Sequence, residues 1–289
     1  MTGRPTVAIL HPGAMGSSVG AALAARARPV YAAEGRSEAT RARAEADGIE
    51  DVGTEAELAR AADVLISVCP PHAAEAVATR VAGFGFRGCY VDANAIAPET
   101  ARRVARIVEA AGADFVDGGI VGPPARRRGL TRLWLSGTRA PEIAALFEDS
   151  ALETGLLDER AGSAAALKMA FAAWTKGTTA LLAAIRALAD AEGVNEGLLE
   201  QWRILLPELA ESSDARIAGT LPKAWRFVGE MEEIARTFAD QGLPDGFHLA
   251  AAEVYDRMAR TRAAGDDTVA GALARLPVRD EGNTGEERD

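Results

Sequence analysis

Short, nearly continuous apolar runs alternate with helical periodicities through the first half of the chain. The runs at 6–10, 30–33, 64–68, 89–92 and 115–117 are predicted strands. They are apolar on both faces, as strands are in a parallel sheet covered by helices on each side. Between them, 15–27, 38–46, 55–61, 73–82 and 98–111 place apolar residues at helical spacing. This alternation predicts an α/β fold with a Rossmann-type N-terminal domain. Two more runs, 132–136 and 154–157, flank a short helix starting near Pro141 and extend the sheet.

Strand patterns stop after Asp158. Residues 161–192 form one long Ala-rich helical pattern that ends at Gly193, a residue suited to a helix C-cap. Helical periodicity continues over 196–209, 211–218, 225–241, 246–264 and 268–276. The predicted organisation is a Rossmann domain over 1–160, an all-α domain over 161–278 and a disordered tail over 279–289, which is charged and lacks apolar periodicity.

Composition narrows the function classes. Over 289 residues the net charge is −10, the wrong sign for a chain that tracks nucleic acid by neutralising phosphates. The Ala-rich stretch of the second half contains Lys168, Lys176, Arg186 and Asp190, so it reads as a buried helix and not a membrane span. The first apolar run, 7–10, is too short for a secretory leader and is followed by Pro and Gly. Cys69 and Cys89 sit in or beside apolar runs without metal-ligand spacing, which fits reduced thiols in a cytoplasmic protein. His11, His72 and His248 are scattered and form no metal-spaced group.

The first strand leads into Gly13-Ala14-Met15-Gly16 and then a helix. Glycines there let a pyrophosphate approach the helix N-terminus, where unpaired N–H groups and the helix dipole favour an anion. His11 stands where the fuller fingerprint has its first glycine, so its backbone must accept that turn. At the end of the second strand, Glu34 is placed to accept a ribose 2′-hydroxyl, as in NAD binding. Arg36 and Ser37, with Thr40 and Arg41, offer charge and short hydrogen bonds to a 2′-phosphate, and the balance favours NADP over NAD. Asn94 follows a strand at its carboxyl end, where open α/β sheets bind ligands, and can reach the nicotinamide ribose or the substrate.

The Gly-x-Met-Gly turn and Asp92-Ala93-Asn94-Ala95-Ile96-Ala97-Pro98 resemble the β-hydroxyacid dehydrogenase and 6-phosphogluconate dehydrogenase superfamily. So do Ser67-Val68-Cys69-Pro70-Pro71 and Asp117-Gly118-Gly119-Ile120-Val121-Gly122-Pro123, in the family's order, followed by Gly162 and Lys168 six residues later. The resemblance implies that Cys69 and Pro70 lie against the cofactor. It makes Val121, Gly122 and Pro123 the substrate segment and Lys168 the catalytic lysine. It also implies a homodimer whose helical domains serve substrate binding and dimerisation. The family's substrate-segment serine falls on Val121, the segment's second glycine on Pro123, and the asparagine one turn after the lysine on Ala172. The Lys-Asp pair of the last long helix is replaced around Glu230. The block from Trp225 to Glu233 resembles an actinobacterial-type branch of these oxidoreductases.

Three lysines stand against twenty-nine arginines, so a lysine within an apolar helix points to chemistry a guanidinium cannot do. Burial brings an amine towards neutral titration, and Lys168 is then a general acid/base. Lys176, roughly 80° further round the helix, reads as a surface or interface charge. Trp174, Trp225 and Phe227 are pocket or core residues, and Glu230 and Glu232 a solvated face or an attraction for a cationic substrate. The function predicted is NADP-dependent hydride transfer to or from a small carbonyl or hydroxy compound. An imine reductase and a non-catalytic NADP-binding protein are the alternatives.

Overall fold

The computed structural model describes residues 3–263 and 268–277. The first half is an eight-stranded mixed sheet in the order β3-β2-β1-β4-β5-β6-β7-β8. Its strands are β1 (Thr6–Ile9), β2 (Arg28–Tyr31), β3 (Glu50–Asp51), β4 (Val64–Ser67), β5 (Cys89–Asp92), β6 (Asp114–Val121), β7 (Arg132–Ser136) and β8 (Glu153–Leu156). All neighbours are parallel except β6 and β7, so the expected extension of the sheet turns back on itself. Strand β3 carries no apolar pattern, being two exposed acidic residues, and is absent from the sequence expectation for that reason. Strand β6 is longer than expected: it runs on through Gly118 and Gly119, which lower strand propensity but pack here against neighbours that need the space.

Alternation along each strand builds two cores. Ala8 and Leu10 of the first strand region join Leu65 and Tyr90 on one face, while Val7 and Ile9 join Ile66 and Val91 on the other. Five helices return the chain between parallel strands: α1 (Ala14–Leu23), α2 (Glu38–Ala46), α3 (Glu55–Ala61), α4 (Ala74–Gly83) and α5 (Pro98–Ala110). Local chemistry starts them. Ser37 accepts the Thr40 N–H at the N-cap of α2, Thr54 and Glu57 form a capping box on α3, and Pro98 opens α5. A short α6 (Ala140–Ala145) links β7 and β8.

From Ser163 the chain is helical, with α7 (Ser163–Ala191), α8 (Asn195–Leu205), α9 (Pro207–Ala218), α10 (Ala224–Ala239), α11 (Gly246–Ala263) and α12 (Val269–Ala274). Where periodicity predicts one helix over 196–209, Pro207 divides it, because proline cannot donate to the preceding turn. The expected tail, 279–289, lies outside the described residues.

Contacts divide the molecule into two compact units. One runs to Ala172 and takes in Arg236–Pro244; the other holds Ala173–Ala235 and the chain from Asp245. The predicted boundary at residue 160 precedes α7, whereas its first ten residues belong to the first unit. Within the second unit, buried Arg186 of α7 donates to Asn195 Oδ1 at 2.8 Å, Ser213 Oγ at 2.8 Å and Asp214 Oδ1 at 2.7 Å. Among the described residues no helix is long and apolar enough to cross a membrane.

Candidate functional site

Because β1, β4, β5 and β6 are parallel neighbours, their carboxyl ends share one edge of the sheet. Open α/β sheets bind ligands at such edges. Gly13, Ala14, Met15 and Gly16 follow β1 there. Gly13 caps α1 with no side chain, and Gly13 and Ala14 are exposed. A Cβ on Gly16 would stand 2.2 Å from the His11 carbonyl oxygen, so only glycine allows α1 to start this close to β1. The uncapped helix start and the cradle at Gly16 fit a dinucleotide pyrophosphate.

His11 takes the place of a glycine without strain, since Asp149 is the one described non-glycine residue at positive φ. Its imidazole is held low, to about 4, first by burial and then by Arg36 beside it. It therefore stays neutral at physiological pH.

After β2 come Glu34, Arg36 and Ser37, the residues expected to meet the adenosine ribose. Arg36 is turned inward: its Nη2 donates to Leu10 O at 3.0 Å and to Glu55 Oε1 at 2.8 Å. Ser37 Oγ is taken up by the α2 cap and lies 3.1 Å from Thr40 Oγ1. Exposed Glu34 accepts the Glu55 N–H at 3.3 Å.

Across β4 and β5, Asn94 acts as a bracket. Its Oδ1 accepts the Cys69 N–H at 2.6 Å, and its Nδ2 donates to Ser67 Oγ at 3.1 Å and Asp92 Oδ2 at 2.9 Å. Both amide hydrogens are thus spent inside the protein, and Oδ1 alone retains capacity for a ligand. Cys69 is no reactive thiol, burial pushing it up to about 11. Pro70 beside it is exposed.

The strand pair β5–β6 sets Asp92 opposite Asp117. Burial pushes Asp92 up to about 7; the Asn94 N–H pulls it down, and Asp117 beside it pushes it up. Asp117 Oδ2 accepts the N–H groups of Gly162 at 3.0 Å, Ala164 at 2.8 Å and Ala165 at 3.0 Å, together with the Ser136 hydroxyl at 3.1 Å. It thereby supplies the acceptors that the start of α7 lacks. Gly119 lets α7 lie down on β6: a Cβ there would stand 2.6 Å from Ala164 O and 3.1 Å from Lys168 Cβ. Half-buried Lys168 then reaches the end of β6, where its Nζ donates to Ile120 O at 2.6 Å.

The expected substrate segment follows. Val121 ends β6 and Gly122 turns at φ +124°, while Pro123 O accepts the Thr131 hydroxyl at 2.6 Å. Two residues on, the Ala125 N–H meets Ser18 Oγ of α1 at 3.0 Å, tying this loop to the helix of the phosphate turn. Arg126 is held by Asp47 at 2.8 Å. Val121, Leu130, Leu167 and Phe171 line a shallow groove of about 430 Å³.

The first unit therefore gathers Gly13 to Gly16, Cys69, Asn94, Val121 and Lys168 at the carboxyl edge. Trp225 and Glu230 belong to the second unit. Trp225 is 62 % exposed. Glu230 pairs with Lys176, expected as a surface or interface charge and found largely out of solvent: it sits over the Phe227 ring at 4.8 Å, and Phe227 meets Tyr255 edge-on at 5.3 Å. Trp174 is 73 % exposed. The roles of Asp92, Asp117 and Glu55 are not anticipated by the sequence reading. The signal available for the first two is an acid at the end of each of two apolar runs, 89–92 and 115–117.

Residues 6–145 match the family model described as the NAD binding domain of 6-phosphogluconate dehydrogenase. Residues 189–258 match a domain of unknown function, DUF1932. An uncharacterised 28.5 kDa protein of Methanothermus fervidus is 28 % identical over 167 residues, 58 % of this chain and 64 % of that protein, so the match spans under two thirds of its length. A conserved protein of unknown function, reported to resemble 3-hydroxyacid dehydrogenases, is 28 % identical with a TM-score of 0.66, over 90 % of this chain and 99 % of that one. Two more distant structures share the fold. The 3-hydroxyisobutyrate dehydrogenase of Mycobacterium tuberculosis is 18 % identical (TM-score 0.68; 95 % and 98 % covered), and the imine reductase of Streptomyces aurantiacus 23 % (TM-score 0.53; 94 % and 100 % covered).

Proposed function

We infer the function from one premise: the chain belongs to the β-hydroxyacid dehydrogenase and 6-phosphogluconate dehydrogenase superfamily of nicotinamide-dependent oxidoreductases. We propose an NADP-dependent reductase or dehydrogenase that interconverts a small carbonyl compound and its alcohol, with Lys168 as general acid/base. Nicotinamide supplies or accepts the hydride when bound. Gly13 to Gly16 would hold the pyrophosphate, Arg36 and Ser37 the 2′-phosphate, and Cys69, Pro70 and Asn94 would border the nicotinamide half.

The observation that carries this reading is the position of Lys168. An ammonium group has three N–H donors, and Ile120 O takes one of them, which aims Nζ at the carboxyl edge of the sheet. In reduction Nζ gives a proton to the carbonyl oxygen as the carbon gains the hydride; in oxidation it takes the hydroxyl proton back. Val121 and Pro123 stand where hydroxyl and small residues would favour a carboxylate. The site therefore suits a less polar substrate, bound along Val121, Leu167 and Phe171.

That same apolar segment favours a second reading, imine reduction, in which Lys168 protonates nitrogen in place of oxygen. Purified protein assayed with NADPH against aldehydes, ketones and cyclic imines separates the two. Carbonyl turnover supports the first reading, and turnover of imines alone supports the second. NADPH binding without oxidation by any of them leaves a non-catalytic binding protein.

The homodimer proposed for this chain is supported by Trp174, Leu181 and Leu188 of α7. They recur every seven residues and are 73 %, 60 % and 62 % exposed. A cytoplasmic location is supported by Cys69 and Cys89, neither of which is in a disulfide.

A further inference from the structure

Glu55 begins α3 and reaches the end of β1 between two arginines. Arg36 Nη2 donates to its Oε1 at 2.8 Å and to Leu10 O at 3.0 Å, and Arg80 Nε donates to its Oε2. Arg36 and the carboxylate are both largely out of solvent, their side chains 16 % and 15 % exposed. Arg36 Nε is buried and has no hydrogen-bond partner, and neither has the adjacent His11 Nδ1.

Two guanidinium groups, those of Arg36 and Arg80, share the Glu55 carboxylate, and the exposed Glu34 carboxylate accepts the Glu55 N–H at 3.3 Å, so two acids stand against two arginines beside the phosphate turn. A carboxylate bound by arginines occupies the role a phosphate monoester would take, because both offer oxygens to the same planar donors. Its negative charge also repels a dianionic group across a partly desolvated site, where screening is weak.

We propose that Glu55 is the specificity-determining residue for the 2′-substituent of the dinucleotide, acting as an internal counter-ion that competes with a 2′-phosphate for Arg36. This rests on the nicotinamide-binding function proposed above. Glu55 restrains the preference for NADP that Arg36 and Ser37 provide, so the wild-type protein binds the two cofactors more evenly than Arg36 alone would dictate. Arg80 moderates the competition by taking the other oxygen of the carboxylate.

The test is equilibrium binding, by quenching of intrinsic fluorescence with NADPH and NADH and by calorimetry with 2′,5′-ADP and 5′-AMP. Glu55→Gln keeps the side-chain shape and an acceptor oxygen but removes the charge. It is expected to raise the NADPH:NADH affinity ratio by about tenfold, mostly through tighter NADPH binding, and to raise the 2′,5′-ADP:5′-AMP ratio likewise. Arg80→Gln leaves Glu55 to Arg36 alone and is expected to lower both ratios. Arg80→Gln tests the idea independently should Glu55→Gln not fold. An unchanged or lower ratio in Glu55→Gln, or an unchanged or higher one in Arg80→Gln, overturns the role of Glu55 and leaves the proposed function standing. A wild-type protein that binds neither cofactor overturns both.

Discussion

Asp117 Oδ2 accepts the backbone N–H of Ala164 at 2.8 Å, so the acid opposite Asp92 in the sheet also anchors the helix that carries Lys168. The same oxygen takes the N–H groups of Gly162 and Ala165. Asp117→Ala orphans these buried donors and is expected to cost about 3 kcal/mol of stability. Asp117→Asn keeps an acceptor oxygen, removes a buried charge and costs less. Urea unfolding measures both. Unchanged midpoints would show that α7 needs no anchor.

Asp92 makes stability depend on pH in an unusual direction. Burial first, with Asp117 adding to it, raises its carboxyl from 3.8 to about 7. A raised folded value means that the stabilisation is fully present below about pH 4 and is lost as pH rises through about 7. Each unit of the shift corresponds to about 1.4 kcal/mol at most. Asp92→Asn is expected to abolish this loss, so the variant's stability relative to wild type rises between pH 4 and 7. A constant difference across that window would contradict the assignment.

His11 works in the opposite sense. Its value is lowered from 6.5 to about 4, first by burial and then by Arg36. Stability from the neutral imidazole is complete above pH 6.5 and is lost as pH falls through about 4. The opposing slopes of His11 and Asp92 flatten the wild-type profile, so the single variants reveal what the parent conceals. An NMR titration of the imidazole is expected near 4, and a midpoint near 6.5 would place His11 in solvent.

Gly16→Ala would put a methyl group 2.2 Å from the His11 carbonyl oxygen. The phosphate turn must then move. Dinucleotide affinity is expected to fall by about tenfold to a hundredfold, about 1.4–2.8 kcal/mol, while the far-ultraviolet circular dichroism stays that of the parent. Equal affinity in the variant would mean that the turn holds no cofactor.

Lys176 and Glu230 pair with their side chains 14 % and 12 % exposed. Removing either partner strands a desolvated charge, and Lys176→Met or Glu230→Leu is expected to cost about 3 kcal/mol, the pair together much less than the sum. Additive losses in chemical denaturation would show the two groups to be independent.

The sheet was largely legible because period-two burial with continuous apolar runs leaves little choice. Runs such as 64–68 and 89–92 lie within a residue of the strands they predict. The acidic β3 and the glycine-bearing half of β6 were not legible, since pairing and close approach, not propensity, make them strands. At the site, Gly16 and Lys168 stand out in the chain by type and spacing. Arg36 does too, but its turn onto Glu55 depends on a residue nineteen positions away. The same holds for Lys176, whose partner Glu230 is fifty-four positions on. Long-range ion pairs of this kind leave no local periodicity to read.

The role proposed for Lys168 is to move the proton. Wild type, Lys168→Met and Lys168→Arg are compared for NADPH oxidation with the best carbonyl or imine substrate and, separately, for the NADPH dissociation constant. Turnover is expected to fall by about a thousandfold or more in both variants, since neither side chain can shuttle a proton near neutral pH, with NADPH affinity within about twofold of wild type. Turnover retained in Lys168→Met would contradict that role.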